Sequence, residues 1–393
     1  MLQESVPNDA VVSAGAPATR LRILHVILRV GPTNSQWNEH CLPVADERDL
    51  TVCSLFPATV AQHPRITRFE GNGSLRSAMQ ALRASLRAGD YDAVHVHAPP
   101  AAAMLVTACV LERRSLADAV MTLHAEWHSL RPRSRMLAAA SFPVLPTIVA
   151  CSHAAAHSIP RPVRRLARHG VDVVPNGVDV DRVDRALATA DREVDLGGEA
   201  RPAGGLTLLT IGRLVGEKDQ RTLLDAFARA ARPEDRLLLV GEGPLASQLE
   251  QQARELGIAD RVRLMGLMPR DDVYRLLGSV DAFISLSKGE GLPLAVLEAM
   301  TAGLPVVLSD IAPHREIVEG KDVAEIVPVG DVAAVATAMT RLQNLSATER
   351  AALGDRGRRV VLDSFSLRAM TDGYQRTYSK IPTRSFTTAW RRQ

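Results

Sequence analysis

Short apolar runs alternate along most of the chain with longer stretches in which apolar residues recur at helical spacing. In the first half the runs are LRILHVIL (residues 21–28), DLTVCSLF (49–56), AVHVHA (93–98), AVMTLHA (119–125), TIVACS (147–152) and VDVVP (171–175). Helical patterns fall between several of them, at Ser74 to Ala88 and Ala101 to Arg114 for example. Apolar strands separated by helices predict a parallel sheet covered on both faces, a doubly wound Rossmann-like domain.

After VVPNGVDVD (173–181) the composition turns charged and Gly-rich through about Gly205, which predicts a linker or exposed loop over 176–205. A second alternating series follows: LTLLTIG, RLLLVGEG, RVRLMGL, DAFISLS, PVVLSD and AEIVPVG, with helical patterns at Asp219 to Ala231, Leu245 to Leu256 and Asp271 to Leu277. Two doubly wound domains side by side form a cleft at the carboxyl ends of their strands, where such sheets bind ligands. The expected division is a disordered lead-in over 1–20, domains over 21–175 and 176–363, a last helix over 364–381 and a tail over 382–393. That last helix sets Phe365, Met370, Tyr374 and Tyr378 near one face. Periodicity alone allows it to pack on either domain.

The most informative stretch is FISLSKGEGLPLAVLEAMTAGLPVVLSD, Phe283 to Asp310. It reads as a strand, a Gly-rich turn, a helix begun by Pro293 and closed by Gly303, and a second strand. Leu294, Leu297 and Met300 keep helical spacing. Such a turn aims free backbone N–H groups and the positive end of a helix dipole at one spot, which suits a phosphate or diphosphate. Glu290 and Glu298 flank that spot, and carboxylates beside an anion site suit neutral hydroxyls. A nucleotide sugar supplies both parts.

In EGLPLAVLE the two glutamates are separated by seven residues, with AMTAGLPVV after them. The whole string resembles the signature of retaining GT-B glycosyltransferases, in particular family four. The resemblance runs from Leu21 to Ile381, and its most specific part lies in the second domain. It implies two Rossmann-like domains facing across a cleft, with an acceptor domain first, a donor domain second and the last helix crossing back to the first. It also implies transfer of a sugar from a nucleoside-diphosphate sugar, UDP favoured over GDP, to a hydroxyl acceptor.

In TIGRLVGEKDQRTLLDAF (210–227) a strand ends at Gly212, Arg213 follows and Lys218 begins a helix. Lysine occurs only at positions 218, 288, 321 and 380. Two solvated loop charges are the bland reading, whereas the resemblance makes Arg213 and Lys218 the cations that neutralise the diphosphate. It implies that Glu290 binds sugar hydroxyls and that Glu298 accepts from the ribose. Backbone N–H groups at Gly291 and Leu292 then hold the sugar or the diphosphate; Pro293 has none to give. The base is expected against backbone near Leu267 and Met268, and VGEGPL (240–245) supplies a second glycine turn. His124, at the end of its strand, is expected to face the sugar and acceptor, although a lone strand-end histidine is more often structural. His97 is the weaker candidate for the same cleft.

The first loop, LRVGPTNSQWNEH (28–40), departs from the family's double-glycine and glutamate pattern. Gly31 is kept as a donor-side contact, with Asn34 or Ser35 as substitute donors. Asp90 with Asp92, and Asp179 with Asp181, form Asp-x-Asp pairs, but neither pair ends a strand at the cleft. They read as turn residues, and neither a metal nor another cofactor is expected. The resemblance implies no covalent nucleophile: the acceptor is expected to attack the face from which the leaving group departs, with the protein acting by charge and position.

Composition narrows the setting. A chain of 393 residues suits two domains, and 46% hydrophobic with 23% charged residues is ordinary for globular proteins. A net charge of +3 gives no reason to expect nucleic acid. Cysteines at 41, 53, 109 and 151 lack paired spacing, and no secretion signal is read at the start. A cytoplasmic location is expected. Residues 136–160 lack Asp, Glu, Lys and Arg, yet Pro143, Pro146, His153 and His157 interrupt the run, which argues against a membrane span. Seven arginines and no acid fall between Glu126 and Asp172. The segment 131–168 is therefore either a solvated basic surface or a docking face for anionic lipid or an acidic acceptor. A GT-B nucleotide-sugar epimerase and a catalytically inactive binding subunit remain alternatives.

Overall fold

The computed structural model describes residues 20–189 and 204–382; the expected lead-in, the centre of the Gly-rich stretch and the tail from 383 lie outside the described residues. The first domain holds β1 (Arg22–Ile27), β2 (Asp49–Ser54), β3 (Ile66–Glu70), β4 (Ala93–Val96), β5 (Ala119–Leu123), β6 (Thr147–Ala150) and β7 (Val171–Val173). They form a parallel sheet in the order 3-2-1-4-5-6-7. β1 runs down its middle, Val26 pairing with Cys53 on one side and Val96 on the other. The strands read as unbroken apolar runs because helices cover both faces. β3, ITRFE, was not legible as a strand: it is an edge strand in which only Ile66 is buried.

The second domain repeats the plan with β8 (Thr207–Ile211), β9 (Arg236–Val240), β10 (Val262–Gly266), β11 (Ala282–Ser285), β12 (Val306–Ser309) and β13 (Ala324–Val327), ordered 10-9-8-11-12-13. In each sheet the order reverses at one point, between β1 and β4 and between β8 and β11. The loops leaving those strands diverge and open a crevice.

The chain crosses between the domains twice, and the two crossings bond to each other. Val178 N donates to Phe365 O at 2.9 Å, and Leu367 N donates to Val178 O at 2.8 Å. Gly177 sits so close that a Cβ there would lie 2.4 Å from Ser366 O. The last helix does not begin at 364 as its periodicity suggests. Phe365 leaves the preceding helix and is buried in the second domain's core. Ser366 then caps a new helix, Leu367–Ser379, by accepting from Ala369 N. Met370, Tyr374 and Tyr378 pack with Ile23, Val52 and Val149 of the first domain. The four aromatic and sulfur side chains that seem to share a face thus belong to two cores.

Among the described residues no helix is long and apolar enough to cross a membrane. All four cysteines are buried, and none forms a disulfide.

Candidate active site

The carboxyl ends of the two sheets face each other across a cleft of about 770 Å³. Thr33, Ser35 and His124 line it from the first domain, with Asn176 at the crossing between the domains. Arg213, Lys218, Gly241, Glu242, Leu267, Met268, Arg270, Glu290, Gly291, Leu292 and Glu298 line it from the second. Nearly every expected site residue is therefore brought to one place. The exception is Gly31, which is not among the lining residues and abuts Thr59 instead. Thr33 and Ser35 occupy the cleft wall in its place, while Asn34 Oδ1 accepts from Trp37 N at 2.7 Å.

The loops after β8 and β11 are tied together. Lys218 closes a single 3-10 turn, Gly216–Lys218, rather than starting the helix, which begins at Gln220. Its Nζ donates to Glu290 Oε1, and Ser287 Oγ donates to the same oxygen at 2.6 Å. Behind it, Asp219 adopts φ +52° and its buried carboxylate lies 3.1 Å from Lys288 Nζ. Lys288 N also donates to Glu217 O at 2.8 Å. Arg213 stands exposed at the lip of the same loop.

Glu298 projects from the helix Leu294–Thr301 and is 5% exposed. It accepts from Arg270 Nη2 at 2.7 Å and from Tyr274 OH at 3.0 Å. Arg270 Nη1 lies 2.6 Å from Glu39 Oε1, which belongs to a π-helical turn, Gln36–Cys41, after β1. Burial opposes the charge on Arg270, but Glu298 and Glu39 outweigh it and raise its pKa. Burial, with Glu298 adding to it, pushes the Glu39 carboxyl up to about 8 against the pull of Arg270. Neither Arg270 nor Glu39 was singled out from sequence.

The turn at 290–292 also packs tightly against the first domain. A Cβ on Gly291 would lie 2.2 Å from His124 O. Ser152 Oγ donates to Gly291 O at 2.7 Å, and Asn176 Nδ2 donates to Leu292 O at 3.4 Å. His124 lines the cleft, whereas His97 lies behind it, with 3.0 Å between His97 Nδ1 and His124 Nε2. His25 of β1, His95 of β4 and His40 of the π-helical turn complete a buried imidazole cluster. The alternation in AVHVH hints at such a cluster, since His95 lies in β4 and His97, two residues on, directly follows its end. The Asp-x-Asp residues serve the backbone: Asp92 accepts from Arg22 N at 2.8 Å and Asp179 from Arg182 N at 2.9 Å.

Two cations, Arg213 and Lys218, and two carboxylates, Glu290 and Glu298, thus gather at the switch point of the second sheet and face the first domain across the cleft. Two family models match the chain: Glycosyl transferases group 1 over residues 191–360 and Glycosyltransferase Family 4 over residues 44–182. The chain belongs to the group 1 glycosyltransferases, with the GT-B architecture. It is similar to the lipopolysaccharide core biosynthesis glycosyltransferase LpsE of Rhizobium meliloti, 30% identical over 46% of this chain and 52% of that protein. It is also similar to the phosphatidyl-myo-inositol mannosyltransferase of Mycobacterium leprae, 33% identical over 43% of each chain. The chain spans about half the length of the curated relatives it matches. Its fold is similar to that of Anabaena HepE in complex with UDP-glucose, with a TM-score of 0.72 at 18% identity, covering 92% of this chain and 100% of that one.

Proposed function

We propose that this protein is a retaining glycosyltransferase that moves a sugar from a nucleoside-diphosphate sugar, preferably a UDP-sugar, to a hydroxyl acceptor. The observation that carries the reading is the convergence of Arg213, Lys218, Glu290 and Glu298 on one interdomain cleft. Arg213 and Lys218 neutralise the departing diphosphate in place of a metal. Glu290 holds sugar hydroxyls, Glu298 holds the ribose, and the backbone at Leu267 and Met268 meets the base. Gly291 and Leu292 offer backbone N–H groups to the sugar or diphosphate. The acceptor hydroxyl enters from the His124 side, and the diphosphate oxygen takes its proton as the bond to the anomeric carbon forms on the face that the leaving group vacates.

The acceptor domain docks on an anionic membrane from the cytoplasmic side through 131–168. Exposed Arg131, Arg133, Arg161, Arg165 and Arg168, with Met136 64% exposed among them, support this reading.

Thermal shift of the purified protein against UDP, GDP and their common sugars, in chelator, tests the donor site, because a ligand that binds only the native state raises Tm with concentration. A shift with a UDP ligand that Arg213→Ala and Lys218→Ala both lose is the expected result. No shift at millimolar ligand, with the fold confirmed, rejects the reading in favour of a binding subunit. Conversion of the donor to an epimer without acceptor indicates the epimerase instead.

A further inference from the structure

Behind His124, two more imidazoles continue into the core in one hydrogen-bonded line. His124 Nε2 lies 3.0 Å from His97 Nδ1, and His97 Nε2 lies 2.9 Å from His25 Nδ1. There the line ends, because His25 Nε2 is buried without a partner. Burial keeps the rings neutral at neutral pH, lowering His25 to about 3, His124 to about 4 and His97 well below its usual value. Each ring therefore carries one proton, on one of its two nitrogens.

Two arrangements satisfy both hydrogen bonds. In the first, His124 donates to His97 and His97 to His25, which leaves His25 with a buried, unpaired N–H. In the second, His25 donates to His97 and His97 to His124, which leaves only an unpaired lone pair in the core. A buried donor without an acceptor is the rarer defect in folded proteins, so the second arrangement is favoured.

We propose that His25 and His97 are positioning residues that fix the tautomer of His124, so that its Nδ1–H is offered to the cleft as a hydrogen-bond donor to the donor sugar. The proposal rests on the nucleotide-sugar reading above. A metal is the competing use of these rings, since His40, His97 and His124 bring nitrogens within 4.8 Å of one another, as do His25, His95 and His97. His95 is already committed on both nitrogens, 2.7 Å from Tyr378 OH and 2.7 Å from Thr122 Oγ1. The Arg48 charge, which helps lower His25 and His40, also opposes a dication.

Nitrogen-15 NMR of histidine-labelled protein without ligand reads the tautomer, with His124 assigned by its loss in His124→Gln. A proton on His124 Nδ1 in the wild type is expected, with a mixed or reversed tautomer in His97→Ala. A proton on Nε2 in the wild type overturns the proposal, as does an unchanged His124 in folded His97→Ala. Stoichiometric zinc retained by the purified protein overturns it as well. In titrations, His97→Ala should weaken UDP-glucose about tenfold, the worth of one hydrogen bond, and UDP by under about twofold. A wild type that binds neither ligand rejects the donor reading and the sugar contact with it, while the spectrum still decides the tautomer.

Discussion

Arg270 of the second domain lies 2.6 Å from Glu39 of the first, with Glu39 buried and Arg270 partly open to the cleft. The same guanidinium donates to Glu298, the carboxylate assigned to the ribose. One cation thus couples Glu298 to the first domain, so a nucleotide held at Glu298 as proposed would bear on the domain interface.

Removal of the shared cation should cost more than removal of one carboxylate. Arg270→Ala leaves Glu298 buried without its counter-ion, while Glu39 keeps its proton at neutral pH, and is expected to cost about 3–5 kcal/mol. Glu39→Ala leaves Arg270 paired with Glu298 and should cost about 1 kcal/mol or less, because the remaining pair stays hydrogen-bonded. Urea denaturation of the two variants decides it; equal losses mean that the guanidinium is not what holds the carboxylates.

Two groups of titrations set opposite limits on stability. The buried imidazoles are lowered in the native state, so below pH 6.5 the unfolded chain takes up more protons and stability falls with falling pH. Each such proton contributes a slope of about 1.4 kcal/mol per pH unit. Glu39 is raised from 4.5 to about 8, so in that window the native state holds the extra proton and stability falls as pH rises. The expected Tm profile peaks near neutrality, and Glu39→Gln should flatten its alkaline limb while leaving the acid limb in place.

Gly291→Ala should separate the domains without unfolding either. Its Cβ would meet the carbonyl of His124, which cannot move aside as a flexible side chain would. Calorimetry is expected to show both domains folded and UDP affinity reduced at least about tenfold. Unchanged affinity means that the cleft stands more open when it binds.

Lys218→Ala should weaken UDP by roughly 10–100-fold, the worth of a hydrogen bond between charged groups. Its effect on Tm without ligand should be small, since the partner Glu290 keeps the hydrogen bond from Ser287. A variant that binds UDP as the wild type does removes Lys218 from the donor site.

Sedimentation with phosphatidylglycerol vesicles tests the basic face. Binding is expected at low salt and is lost at high salt through screening. The double variant Arg131→Glu, Arg133→Glu should reduce it at least about tenfold, given about 1 kcal/mol for each basic residue near an anionic surface. Binding that ignores both changes rejects the membrane reading.

The sequence by itself determined what is local. The strand, glycine turn and helix around Glu290, the cations at 213 and 218, and the alternation of strands and helices are patterns within a few turns of chain, where backbone geometry follows residue type. They place Glu290, Glu298, Arg213, Lys218, Leu267 and Met268, and the cleft indeed gathers them. Tertiary structure alone decided which side chains meet across distant segments. Strand order brings His25, His97 and His124 into one line, although His25 lies within β1 and the other two just past the ends of β4 and β5. Domain docking sets Glu39 against Arg270, and the backbone break at Phe365 sends that ring to one core and Tyr374 to the other. Such pairings depend on sheet topology and on two separately folded surfaces fitting together, and neither leaves a periodic mark in the chain.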